Sequence, residues 1–170
     1  MNRTALAMPN VNLKPKVINH RASRTAEQLY FLFQNAYRQE ARWLGEAAKR
    51  YFLPMQRDAA AIRLAPSRML GLESQAGEVQ AVIELVEPVP EQPWCEIVGL
   101  CVAPAAQRKG FAARLLQVAL DTYGAKGTAL RVSVAEGNAP AQALYERFQF
   151  KPVGREKKHG VTLLLLERSA

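Results

Sequence analysis

Gln107-Arg108-Lys109-Gly110-Phe111-Ala112 carries the clearest chemical signal in this chain of 170 residues. Two cations and a glycine follow an apolar run, 96–102, that stops at Ala103-Pro104. A strongly amphipathic helical pattern begins directly after them. That order aims several main-chain N–H groups and the positive end of a helix dipole at one spot beside cationic side chains. A phosphate or pyrophosphate suits such a spot. Gly110 permits close backbone approach or a positive φ, and the small Ala112 keeps the surface open.

Other chemistries find less support. Cys95 and Cys101 are too few and too close together for a disulfide framework or a metal set, so a reducing cytoplasm is the expected compartment. His20 and His159 are far apart and match no metal-ligand pattern, so no metal is expected. There is no Walker loop, dinucleotide fingerprint or nucleophile elbow. The net charge is +8, from 23 basic and 15 acidic residues. That balance fits nucleic acid, an acidic partner or a polyphosphate cofactor. The excess is spread over both halves of the chain. Its densest patch is the short cluster Arg155-Glu156-Lys157-Lys158-His159. Nothing resembles a recognition helix or an RNA-binding aromatic motif, so nucleic acid is not the expected partner. No apolar stretch is long enough to span a bilayer, and the first twenty residues lack a signal-peptide core.

The elements that must position the turn follow from periodicity. Residues 1–15 read as a tail, and 16–170 as one domain large enough to bury a core. A first strand is expected near 16–21. A helix follows, with Ser23 or Thr25 as N-cap and Leu29, Tyr30, Phe33 and Tyr37 at helical spacing. A second helix is expected near 40–51, closed by Pro54. Seven aromatics lie between residues 30 and 52 and read mainly as core. Residues 68–75 and 79–87 form a hairpin around Ala76-Gly77-Glu78. A strand at 94–102 leads to the turn, and a helix from about 109 to 123 ends near Gly124. Leu130, Val132 and Val134 alternate as a strand. Asn138 caps a short helix through Phe148, and strands near 151–156 and 161–167 finish the chain, joined by the basic cluster.

The motifs now resemble a known family, the GCN5-related N-acetyltransferases (GNAT). Its signature of Gln or Arg, two residues, Gly, one residue, then Gly or Ala is matched by Gln107, Gly110 and Ala112. Leu100-Cys101-Val102-Ala103-Pro104 looks like its fourth strand. Asn138 through Glu146 looks like the region between its fifth strand and fourth helix. The resemblance covers about 16–168. It implies an α/β (α+β) acyl-CoA N-acyltransferase fold: a splayed, mixed, mostly antiparallel sheet with helices on both faces. It also implies acetyl-CoA as cosubstrate and an amine as acceptor.

On that reading the turn residues Gln107, Arg108, Lys109, Gly110, Phe111 and Ala112 hold the pyrophosphate. Main-chain groups of Leu100, Cys101 and Val102 pair with pantetheine as an added strand would. Gly99 is the candidate for the bulge that starts the splay. Asn138 hydrogen-bonds the pantetheine arm, caps its helix, or does both. An amine with an ordinary pKa near ~10.4 must lose a proton before it attacks the thioester. Glu96, fourteen positions before Gly110, is the candidate base. The alternative for Glu96 is a solvated strand face or an ion pair. Tyr145 is the candidate acid for the departing thiolate, and it also borders the cofactor. Cys101 is either core or an acyl-carrying nucleophile, direct transfer being the family's habit. An alternative function is a non-catalytic acyl-CoA sensor of the same fold. The chain departs from the family at Phe148-Gln149-Phe150, where glycine is common. Either Gln149 takes the left-handed cap there, at a cost on the order of 1 kcal/mol, or the helix ends differently. The acceptor amine, and the choice between monomer and homodimer, stay open at this level.

Overall fold

The structure, a computed structural model, describes residues 13–45, 57–158 and 160–170. Its element order is β1 (Lys16–Val17), α1 (Ser23–Leu44), α2 (Ala59–Leu64), β2 (Arg68–Glu73), β3 (Val79–Val86) and β4 (Trp94–Val102). A single turn of tighter helix (Pro104–Ala106) precedes α3 (Phe111–Gly124), β5 (Ala129–Ala135), α4 (Ala139–Arg147), β6 (Lys151–Lys158) and β7 (Val161–Arg168). The seven strands form one sheet in the order β1-β2-β3-β4-β5-β7-β6. Only β4 and β5 run parallel; every other neighbouring pair is antiparallel.

Alternation along the strands builds a core on each face. Ala81, Ile83 and Leu85 of β3 join Phe111, Leu115, Leu116, Ala119 and Tyr123 of α3, together with Tyr145 of α4. Val82 faces the other way and packs with Leu29 and Phe33 of α1, Ile62 of α2 and Cys101. A period of two on the sheet and of 3.6 on the helices puts these apolar side chains on facing surfaces.

Two irregularities matter for function. Glu84 pairs with Gly99 but Leu85 pairs with Ile97, so Val98 is an extra residue in β4 beside Gly99. The bulge expected at Gly99 is therefore present. An extra residue reverses which side odd-numbered positions face. Cys95 and Ile97 lie in the α3 core, whereas Cys101 lies in the α1 core. Beyond this point β4 leaves β5: the two pair only from Trp94↔Ala129 to Ile97↔Val132. β5 goes on pairing with β7 as far as Ala135↔Leu163. A V-shaped fissure opens between β4 and β5.

Several sequence expectations change. The first strand is two residues long rather than reaching 21. The N-cap of α1 is Ala22, which offers no side-chain bond; Ser23 is already helical. Helix α1 runs through residues 40–44 without a break, because Tyr37, Ala41 and Leu44 recur at helical spacing and pack with Ala135, Val161 and Leu163. The remainder of the expected second helix, 46–51, and the Pro54 expected to close it lie outside the described residues, as does nearly all of the 1–15 tail. Helix α2 was not foreseen; Asp58 caps it by accepting from the Ala61 amide at 2.8 Å. Helix α3 starts at Phe111 rather than 109, and Gly127 (φ 69°) supplies the left-handed residue after it instead of Gly124. The basic cluster from Arg155 to Lys158 belongs to β6, not to a turn, and His159 lies outside the described residues. Arg155 pairs with Glu136 and Lys158 with Glu156. On an edge strand such charges also oppose pairing with another chain.

Candidate active site

The turn before α3 is tightly wound. Arg108 (φ 65°) and Gly110 (φ 76°) both take the left-handed region. Glycine adopts it freely, whereas Arg108 is strained there, and such strain concentrates at functional sites. Gly110 is the N-cap of α3 and gives it no side-chain cap. The N–H groups of the first helical turn, which have no partner inside the helix, therefore face whatever binds at the turn. A Cβ added to Gly110 would meet nothing within 4 Å.

A cleft of about 350 Å³ opens at this helix terminus. It is lined by Leu100, Cys101 and Val102 of β4, by Gln107, Arg108, Gly110, Phe111 and Ala112, and by Asn138 and Tyr145. Every expected cofactor residue lies here except Lys109. The Lys109 ammonium turns back and donates to the Ala105 carbonyl at 2.7 Å. Phe111 is only 4% exposed, so what it offers a ligand is main chain. Arg114 turns away too, donating to the Leu13 carbonyl. Arg147 of α4, which no motif singled out, stands with Arg108 on the cleft wall.

Tyr145 borders this cleft and also the fissure between β4 and β5. It is held by the end of its own helix. Phe150 N–H bonds the Tyr145 carbonyl and Gln149 N–H bonds that of Glu146, at 3.0 and 2.8 Å. That pair is a Schellman cap, with Gln149 left-handed at φ 63°. The expected departure from glycine is thus present. The cap sets the Phe150 ring edge-on against Tyr145, with centroids 5.1 Å apart. Burial drives the Tyr145 hydroxyl above the ordinary tyrosine pKa, and the nearby Cys101 and Glu40 add to the rise. The phenol therefore keeps its proton at neutral pH.

Helix α1 contributes groups that no motif announced. Tyr37 and Glu40 line both cavities. Gln107 Nε2 donates to Gln39 Oε1 at 2.9 Å, tying the signature turn to α1. Asn138 works twice: its Oδ1 caps α4 through the Ala141 amide at 3.1 Å, and its Nδ2 donates to Glu40 Oε1 at 2.7 Å. Burial raises the Glu40 carboxyl pKa, and the bond from Asn138 opposes the rise. Only the aromatic spacing of α1 hinted at this wall; the side that Glu40 faces depends on the packing of α1.

The face beside the bulge is floored by an ion pair whose carboxylate is buried. Glu84, 2% exposed, accepts from both terminal nitrogens of Arg57 at 2.9 and 2.7 Å and from Ser67 Oγ at 2.6 Å. The hydrogen bonds to Glu84 hold the Arg57 guanidinium more firmly protonated. Arg57 also lies over the Phe33 ring, 5.2 Å from its centre. Cys101 is buried on the same face, and burial forces its thiol pKa far up.

Glu96 stands elsewhere. It pairs with Arg131 in the stretch where β4 and β5 are still joined, one residue before they part. Its carboxylate accepts from Gln92 at 3.4 Å, and it borders neither cavity. Arg131 is itself engaged by Glu167 at 2.5 Å and by the Trp94 ring.

Among the described residues no group of three or more His, Cys, Asp or Glu could hold a metal ion, and no helix is long and apolar enough to cross a membrane.

A sheet that splays at a bulged strand, with an uncapped helix N-terminus at its mouth, defines an acyl-CoA N-acyltransferase fold. The sequence model of the Acetyltransferase (GNAT) family matches residues 26–150, and the chain belongs to that family. Solved structures share the fold. An acyl-CoA N-acyltransferase from Pseudomonas aeruginosa superposes with TM-score 0.69 at 18% identity, covering 93% of this chain and 100% of that one. The ribosomal-protein-S18-alanine N-acetyltransferase from Escherichia coli gives 0.63 at 18%, covering 92% of each. Nourseothricin acetyltransferase gives 0.54 at 20%, covering 61% of this chain and 65% of that one. No curated protein matches the chain.

Proposed function

We propose that the protein transfers an acetyl group from acetyl-CoA directly to an amine. One observation carries this reading: β4 leaves β5 after Ile97 at the place where the α3 terminus and Tyr145 meet the same cleft. The turn amides and Arg108 hold the pyrophosphate. Pantetheine runs along β4, taking up main-chain groups of Leu100 and Val102, which alternate with Cys101 and face the side that β5 no longer reaches. Asn138 can serve pantetheine through the second N–H of Nδ2, keeping its bond to Glu40. Tyr145 donates its proton to the sulfur as the C–S bond breaks.

The geometry supports direct transfer over an acyl-enzyme. A cysteine attacks as thiolate, and Cys101 is 3% exposed, with burial strongly favouring the neutral thiol. The neighbours differ in acceptor: one is named for a ribosomal-protein alanine and another for nourseothricin. The fold therefore leaves the amine unspecified.

Thiol release from acetyl-CoA across a panel of amines tests the reading, with Tyr145→Phe alongside wild type. The expected result is turnover with at least one amine and a fall in kcat of about 10²-fold in Tyr145→Phe, with acetyl-CoA affinity retained. Tight cofactor binding with no turnover by wild type would instead favour the sensor.

A further inference from the structure

We infer that Glu40 of helix α1, rather than Glu96 of β4, is the general base that takes the proton from the attacking amine. The inference rests on the acetyl-transfer reading above. The fissure lies between the two parting strands. Its walls are Ile97–Leu100 of β4 and Val132–Val134 of β5, and the groups closing it come from opposite faces of the sheet. Tyr145 enters from the side of the α3 core. Tyr37 and Glu40 enter from α1, whose side chains pack on the other face. A thioester in the fissure would have a proton donor on one face and a carboxylate on the other. An amine attacking from the α1 side then expels sulfur toward Tyr145.

Glu40 also has the support a base needs. Asn138 Nδ2 fixes its Oε1 at 2.7 Å and leaves Oε2 for a substrate. Glu96 lacks the position, because it precedes the bulge and lies where the strands are still paired. The groups around Glu40 are Tyr37 on its own helix, Cys101 on β4, Tyr145 and Arg147 on α4, and Arg108 at the turn. Burial pushes the pKa of Tyr37, Cys101 and Tyr145 upward, so all three are neutral where Glu40 ionises. Burial also raises the Glu40 pKa toward the working pH, which strengthens it as a base.

The step balances as follows. The ammonium form of the acceptor gives its first proton to solvent. The neutral amine nitrogen bonds to the thioester carbon, and its second proton passes to Glu40. The C–S bond breaks with its electron pair on sulfur, which takes the Tyr145 proton. Water in the cleft returns a proton from Glu40 to the Tyr145 oxygen, restoring both groups. The products are the acetamide and free coenzyme A.

The test compares wild type, Glu40→Gln, Glu40→Asp and Glu96→Gln. The donor is acetyl-CoA, and the acceptors are an alanine-initiated hexapeptide, a lysine peptide, spermidine and an aminoglycoside. Thermal unfolding with and without acetyl-CoA reports folding and cofactor binding. The best acceptor is then followed from about pH 6 to about pH 9. Glu40→Gln, which keeps an oxygen for Asn138, is expected to retain the acetyl-CoA thermal shift. Its kcat should fall about 100-fold at saturating acceptor across that range, with Glu40→Asp restoring part of the loss. Wild-type kcat in Glu40→Gln would overturn the inference alone. So would an equal or larger kcat loss in Glu96→Gln. If wild type releases no thiol with any of the four acceptors, both this inference and the acetyl-transfer reading fall.

Discussion

Substituting Gly110 separates folding from cofactor binding, because the two effects are expected to rank the variants in opposite orders. Gly110 is left-handed at φ 76°, and a Cβ there meets nothing within 4 Å. Gly110→Ala therefore costs only the dihedral penalty, about 1 kcal/mol, which lowers Tm by about 2–4 °C. Gly110→Asp carries the same penalty, but its carboxylate sits at the α3 N-terminus and recovers roughly 0.3–1 kcal/mol from the helix dipole. Asp should thus be the more stable of the two. Binding reverses the order. A carboxylate about 5 Å from a pyrophosphate charge is repelled by ~1 kcal/mol in bulk water and ~3 kcal/mol at an effective dielectric near ~20. Two such charges weaken binding by at least about 2 kcal/mol, or roughly thirtyfold. Gly110→Ala should lose less than about tenfold. Calorimetric titration with acetyl-CoA at low and high salt measures both variants, and added salt should narrow the gap between them. Equal affinity of the two variants, or an Asp variant that binds like wild type, would refute the assignment of this turn to an anion.

Other outcomes follow from single contacts. Gln149→Gly relieves the left-handed strain in the α4 cap and should stabilise the protein by about 1 kcal/mol, read as a rise in Tm of about 2–4 °C. Arg57→Ala leaves the Glu84 carboxylate buried with Ser67 but without its cation. It should cost about 3–5 kcal/mol in denaturant unfolding, whereas replacing Arg57 and Glu84 together with apolar residues should cost much less. The raised pKa of Glu40 means the folded protein binds this proton more tightly than the unfolded chain. Its contribution to stability is therefore best at low pH and declines as pH climbs from the ordinary carboxylate range through the folded value. Glu40→Gln should remove that part of the slope and be at least as stable as wild type at neutral pH, as unfolding curves at several pH values would record.

The proposed cofactor side of the site was legible because it is local. Gln107, Gly110 and Ala112 sit in one contiguous turn, and a strand–turn–helix written in order must point its amides at the turn. Leu100, Cys101 and Val102 precede that turn directly, and Asn138 and Tyr145 share one short helix whose cap and spacing are set by nearest neighbours. The missing glycine marked position 149 as the irregular end of its helix, and the structure decided for a left-handed Gln149. The turn of Lys109 toward the Ala105 carbonyl was not legible, since sequence gives a side chain's charge but not its direction.

Tertiary structure decided the other face. Gly99 marked the bulge in the sequence, but that Val98 is the extra residue against β3 and that β4 and β5 part after Ile97 are matters of register between segments distant in sequence. Glu84 reads as one polar residue in an apolar strand until Arg57 and Ser67 arrive from outside β3 to neutralise it. Glu40 reads as a surface residue of a helix until α1 is laid over the fissure and Asn138 reaches it across 98 residues. Local propensities and a contiguous motif thus determined where the donor is expected to bind. Long-range packing of α1 onto the splayed sheet decided which carboxylate stands where an amine would enter.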